Sequence, residues 1–208
     1  MIVDDLLPTD IARAIDAAFP SLEQLSHNRS LRERKSIGVQ MDAYQDLCAE
    51  ITYAFQDQRV VDIVSEITSL PGLEGDPKLY AGGLSSMAKG DFLNPHLDNS
   101  HDHDQNRYRA LNLLYYVTPD WRRDNGGNLE LWDQGVDGPP RLIESTFNRL
   151  AIMATGQNSW HSVSPVIADG RRNCVSNYYF SKEPIERDHT YFHVTTFRGR
   201  PEQPVRDS

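Results

Sequence analysis

Residues 95 to 109, PHLDNSHDHDQNRYR, hold His96, Asp98, His101, Asp102, His103 and Asp104, more nitrogen and oxygen donors than one ion can use. On an extended strand, side chains two apart share a face, so His96 and Asp98 can reach one ion while Leu97 turns away. The stretch from His101 to Asp104 has no apolar alternation and is flanked by Asn99, Ser100, Gln105 and Asn106, so it reads as a solvated loop without ligands. Two donors do not complete a site. The best third candidate is His161, which begins an apolar run in NSWHSVSPV. Two imidazoles and one carboxylate on one face suit a non-haem Fe(II) whose opposite positions stay open for a cosubstrate and O2.

Strands must position these donors. After residue 72 the chain turns to short segments rich in Tyr, Leu, Val and Phe, separated by Gly, Asn, Asp and Pro, the pattern of antiparallel β-structure. The expected strands are 79–87, 92–98, 109–118, 128–133, 148–155, 160–167, 172–181 and 190–197, which suggest a double-sheet jelly roll. Before them, apolar residues recur at helical spacing: Ile11, Ala14, Ile15 and Ala18 after an N-capping Thr9, then Tyr44 to Phe55, then Val60 to Thr68. Residues 26 to 40, polar and basic without a clean period, read as a mobile loop. The expectation is an α+β, mainly β fold.

At 208 residues the chain can bury one sizeable core, so a single domain is expected over 1–208, with helical support in about 1–72 and the jelly roll in about 73–200. A net charge of -9 argues against nucleic acid and anionic membrane surfaces, both of which need a basic face. The acidic start lacks a signal peptide's basic residues, and no apolar run is long enough to span a bilayer, so a cytoplasmic location is expected. Cys48 and Cys174 fall in a helical and a strand pattern and are expected as separate buried thiols.

The blocks GDFLNPHLD, YRALNLLYYVTPDW, NGGNLELWD, FNRLAIM, WHSVSPV and GRRNCVSNYYFS occur in the order and spacing of the Fe(II)/2-oxoglutarate-dependent dioxygenases. The chain resembles their prolyl-4-hydroxylase-like branch, including bacterial members encoded near glycosyltransferases, over roughly residues 73 to 200. The resemblance implies a double-stranded β-helix, Fe(II) held by His96, Asp98 and His161, and 2-oxoglutarate and O2 as cosubstrates. It also implies an arginine for 2-oxoglutarate about ten residues past the distal histidine, where Arg171 and Arg172 stand. If 172–181 is a strand, Arg172 shares a face with Cys174, Ser176, Tyr178 and Phe180, the less polar set, and Ser176 takes the place of a small hydroxyl near the same carboxylate. Arg172 is therefore the expected anchor, its planar fork matching a carboxylate. Tyr116 matches a tyrosine that donates to that carboxylate, and Asn112, four residues back on the same face, joins the cosubstrate residues.

One position departs from the pattern: Met87 stands where many relatives carry a pocket tyrosine. Arg109 and Trp160 fall near the mouth, with structural roles expected for both. Tyr178 occupies the place of a second arginine in the superfamily's DNA-repair demethylases, which argues against that activity. The reaction implied is hydroxylation of an unactivated C–H bond, with release of succinate and CO2. The expected substrate is a small or carrier-linked molecule, a sugar or natural-product intermediate, bound at a polar rim of Asn94, Asn99, Ser100 and His101. Protein prolyl hydroxylation is the runner-up, followed by a non-catalytic jelly-roll binding or sensor module. A cupin-like isomerase or zinc enzyme would leave Arg172 and Tyr116 unexplained.

Overall fold

The computed structural model describes residues 1–186 and 190–202; the remainder of the expected 1–208 span, including 187–189 within its jelly-roll part, lies outside the described residues. Three helices come early: α1 (Thr9–Ala18), α2 (Asp46–Ala54) and α3 (Gln58–Thr68). The α1 stripe is shifted from expectation. Ala12, Ile15 and Ala18 are buried while Ile11 is exposed, and the capping position is Pro8, with no side-chain cap from Thr9. In α3, Val61 and Val64 face inward, and Asp57 accepts a hydrogen bond from the Arg59 amide.

The strands are β1 (Ile2–Val3), β2 (Ser26–Arg29), β3 (Glu33–Gly38), β4 (Leu73–Glu74), β5 (Gly83–Ala88), β6 (Phe92–Leu97), β7 (Tyr108–Tyr116), β8 (Leu129–Leu131), β9 (Arg141–Ile143), β10 (Arg149–Ala154), β11 (His161–Val163), β12 (Arg171–Ser181) and β13 (Thr196–Phe197). They form one antiparallel sheet in the order β1-β10-β7-β12-β5-β3-β6-β11-β8-β9, with β13 paired to β6, β2 to β3 and β4 to β12 off this path. The sheet curls so that β5, β7 and β12 face β6, β8 and β11 across a common cavity, a half-barrel consistent with the jelly roll.

Period-two alternation explains the layering. On β12, Val175 and Tyr179 pack with helical residues Ile15, Cys48, Ile51 and Val61, while Arg172, Cys174, Ser176 and Tyr178 line the cavity. Phe180 leaves the expected set, because the β12–β7 register shifts between Tyr179 and Phe180, and its ring lies under the Arg107 guanidinium. Cys48 and Cys174 are separate, buried thiols. Among the described residues, no helix is long and apolar enough to cross a membrane.

Two loop expectations are corrected. Residues 26 to 40 hold the β2–β3 hairpin, whose second strand sits between β5 and β6. Its inward positions carry Ser36 and Gly38, too small and polar to show as an apolar alternation. Gly83 permits the approach: a Cβ there would lie 2.4 Å from the Gly38 carbonyl oxygen, and its φ of +129° favours glycine. The stretch after Asp98 is not wholly solvated either. His101 is buried between the rings of Tyr108 and Phe192, and Asp102 accepts from the amide of Asn106 and from Arg107 Nε.

Candidate metal and cosubstrate site

His96 and Asp98 stand at the end of β6, and His161 opens β11 directly across the ladder, paired with His96. Their donor atoms all lie within 4.8 Å of one another, the one group of three or more such residues among those described that could hold a metal ion. Asp98 faces both rings, with Oδ1 3.7 Å from His96 Nε2 and Oδ2 3.7 Å from His161 Nε2. Each imidazole is oriented from behind: Nδ1 of His96 meets the Asn94 carbonyl at 3.0 Å, and Nδ1 of His161 meets the Ser159 carbonyl at 2.8 Å. A carbonyl can only accept, so each Nδ1 is protonated and each Nε2 is the nitrogen turned to the site.

The protonation states agree with metal binding. Burial, reinforced by the neighbouring His161, lowers the His96 pKa to about 3, so the ring is neutral near pH 7. Burial alone would raise the Asp98 pKa, but the groups that face it, the Arg109 guanidinium first among them, outweigh burial and hold the carboxylate ionised. Arg109 Nη1 lies 3.4 Å from Asp98 Oδ2 without hydrogen-bond geometry, and that oxygen has no hydrogen-bond partner among the described residues. A neutral His96 imidazole, an ionised carboxylate and an unpartnered buried oxygen fit a divalent cation.

A cavity of about 220 Å³ leads from this group to Arg172. The guanidinium is buried, and its neighbours are soft: Nη2 donates to Met87 Sδ at 2.9 Å, Cys174 lies within reach, and Tyr116 offers its ring face at 5.4 Å. None is an anion, and Nε has no partner among the described residues. Arg171 turns the other way, donating to the Pro20 and Phe19 carbonyls. Gly127 clears space for the inward arginine, since a Cβ there would lie 3.1 Å from Arg172 Cδ. Tyr116, Asn112 and Ser176 line the same cavity, as does Met87.

Sequence reasoning missed three participants. The Tyr178 hydroxyl faces Asp98 and helps to lower its pKa, accepts from Asn112 Nδ2 at 3.0 Å, and the ring carries the Arg109 guanidinium over it at 4.2 Å. Phe197 stacks on His96 with ring centroids 5.2 Å apart. Arg109 reaches Asp98 itself, closer to the site than a place at the mouth. The alternation of β12 already put Tyr178 on the cavity face; its contact with Asp98 needed the tertiary fold. Of the expected polar rim, Asn94 is buried against the Leu31 carbonyl and His101 lies in its ring stack, while Asn99 and Ser100 line a second hollow beside Asp98 and Arg109.

The family model of the 2OG-Fe(II) oxygenase superfamily matches residues 82–180, which contain the His-x-Asp arm, the distal histidine and the inward arginine. These residues, just under half of the chain, are similar to that superfamily. Members use Fe(II), 2-oxoglutarate and O2. The chain is 27% identical to the mouse (Mus musculus) prolyl 3-hydroxylase OGFOD1 over 135 residues, which are 63% of this chain and 24% of the mouse protein. It thus spans about a quarter of that relative's length. A prolyl-4-hydroxylase of Pseudomonas putida shares its fold with a TM-score of 0.61 at 18% identity, over 88% of this chain and 92% of the other. HygX of Streptomyces hygroscopicus, in a structure holding nickel, 2-oxoglutarate and hygromycin B, has a TM-score of 0.55 at 12% identity, over 87% and 82% of the two chains.

Proposed function

We propose that this protein is a Fe(II)- and 2-oxoglutarate-dependent hydroxylase, built as one domain, in which His96, Asp98 and His161 hold the metal and Arg172 anchors the cosubstrate. One observation carries the reading: a single cavity joins three convergent metal donors to a buried guanidinium that has no anion beside it among the described residues. A buried charge without a partner is costly, so a cavity built this way is a binding site for an anion. Arg172 grips the distal carboxylate of 2-oxoglutarate, Tyr116 donates to it, and Asn112 and Ser176 complete the polar wall. Burial raises the Tyr116 pKa, so its hydroxyl stays protonated and available as a donor. Fe(II) with 2-oxoglutarate supplies the oxidising power that places one atom of O2 in a C–H bond of the substrate and the other in succinate, with loss of CO2. The protein orients the two reactants, and Tyr178 and Arg109 hold Asp98 in its ionised, inward position.

The relatives support a prolyl residue of a protein or peptide as substrate. The cavity opens between the β2–β3 hairpin and residues 80–83, where exposed Val39 and Tyr80 provide an apolar rim for such a ring. A small or carrier-linked molecule, a sugar or natural-product intermediate, is the second reading. It is favoured by the likeness to HygX and by Asn99 and Ser100 beside the second hollow. The deciding experiment supplies Fe(II), 2-oxoglutarate and O2 with proline-containing peptides or with a panel of sugars and aminoglycosides, following succinate and a mass gain of one oxygen. Peptide hydroxylation matched by succinate is expected; turnover confined to small molecules selects the second reading. No 2-oxoglutarate conversion by iron-loaded protein under any condition would leave a non-catalytic module.

A further inference from the structure

The family match ends at residue 180, yet the segment 196–200 touches the neighbourhood of both metal histidines. Strand β13 pairs with β6 at the ligand itself, Phe197 opposite His96 and Thr196 opposite Leu97. The Phe197 ring lies nearly parallel to the His96 imidazole, 19° from coplanar, while the His161 ring sits 4.1 Å from His96. His96 is thus flanked by two rings. The Arg198 amide donates to the Pro95 carbonyl at 2.8 Å, and its guanidinium lies 5.0 Å over Trp160, the residue before His161. Arg200 reaches β11 from the same side: Nη2 donates to the Val163 carbonyl at 3.0 Å and to Glu130 Oε2 at 2.7 Å. Glu130 also accepts from Ser162 Oγ, whose oxygen in turn accepts from Trp132 Nε1. The Arg200 and Glu130 side chains are only 12% and 8% exposed, so this ion pair is enclosed.

These contacts matter because the ladder between the two ligand strands is short and irregular. The β6–β11 register shifts between His161 and Val163, leaving His161 opposite His96 and Val163 opposite Leu93 as its paired positions. A two-pair ladder with a bulge does not by itself fix the spacing of two histidines to the few tenths of an ångström that metal coordination requires. We propose that residues 196–200 form a clamp that sets the two histidines, with Phe197 and Arg200 as positioning residues. Phe197 limits rotation of the His96 ring, which its single hydrogen bond to Asn94 leaves free to tilt. Arg200 fastens β11 through the Val163 carbonyl and through Glu130 on β8.

The inference rests on the metal reading above, and the test separates the two. Anaerobic Fe(II) titration and chelator-driven Fe(II) release are measured on the full chain and on Phe197→Ala and Phe197→Tyr, alongside thermal unfolding of the metal-free proteins. Outer contacts that orient metal ligands typically change affinity by about 10–100-fold. Phe197→Ala is expected to weaken Fe(II) binding at least about tenfold and to speed release, with little change in metal-free unfolding. Phe197→Tyr, which keeps the ring, is expected to restore affinity to within about twofold. Unchanged Fe(II) affinity in Phe197→Ala, with the wild type binding normally, overturns the clamp alone. A loss of affinity matched by a comparable loss of metal-free stability assigns Phe197 to packing and also overturns it. A wild-type protein that binds no Fe(II) overturns the metal reading itself.

Discussion

The two faces of β12 solve the same problem in opposite ways. On the outer face, Arg171 donates to the Pro20 and Phe19 carbonyls, Asn173 bonds Asp16 and Ser86, and Asn177 Oδ1 accepts from Gln56, so apart from Asn177 Nδ2 the buried polar side-chain atoms of these three residues find partners within the fold. On the inner face, Arg172 Nε finds none among the described residues, as does Oδ1 of Asn112 on the neighbouring β7, and the guanidinium rests on sulfurs and a ring. Adjacent arginines therefore carry different meanings. Buried polar groups satisfied internally hold a fold together, whereas groups left over around a cavity mark where a ligand completes the count.

The largest expected effect tests whether the inner face works with the metal group. His161→Ala is expected to abolish stoichiometric iron binding, while the double variant His101→Ala/His103→Ala keeps it, as measured by metal analysis after desalting. Iron lost from the double variant and kept in His161→Ala would move the site to the loop. Next comes the contrast between the arginines. Removing one partner of a buried charge pair costs about 2–5 kcal/mol, so Arg172→Ala should weaken 2-oxoglutarate binding to the iron-bound protein by tens of fold or more. Arg171→Ala should leave that affinity nearly unchanged while lowering thermal stability; a larger cosubstrate loss in Arg171→Ala would reverse the two faces.

Acidification is expected to act through the buried ligand ring. In the metal-free protein the His96 pKa lies near 3, below the ordinary imidazole value of 6.5. Between those values the unfolded chain binds a proton that the native state refuses. This histidine therefore subtracts from stability as pH falls from 6.5 toward 3, by at most about 1.4 kcal/mol per pH unit. Urea unfolding of metal-free wild type at pH 7 and pH 5 should show the loss, and His96→Asn should show less of it. The smallest effect belongs to the outer face: Asn173→Ala removes the hydrogen bonds to Asp16 and Ser86 and should cost about 1–3 kcal/mol of stability without altering 2-oxoglutarate affinity. A change in cosubstrate binding there would show that the two faces are coupled.

Local periodicity accounts for what was legible beforehand. The step of two residues in a strand placed His96 beside Asp98, and it put Arg172, Cys174, Ser176 and Tyr178 on one face of β12 with Arg171 on the other. The step of three to four residues in a helix marked the stripes of α1, α2 and α3, although α1 is turned so that Ala12 rather than Ile11 is inside. These properties need only the chain's own geometry. The β2–β3 hairpin stayed hidden because its inward positions are Ser36 and Gly38, small residues admitted by the close approach at Gly83. His101 looked like a solvated residue because Tyr108 and Phe192, the rings that bury it, come from other segments. The approach of Tyr178 to Asp98, the Arg109 ion pair and the closure of residues 196–200 onto β6 and β11 join residues 11 to more than 100 positions apart. Their types were visible in the chain, but their meeting depends on how the sheet curls, and only the tertiary structure determines that.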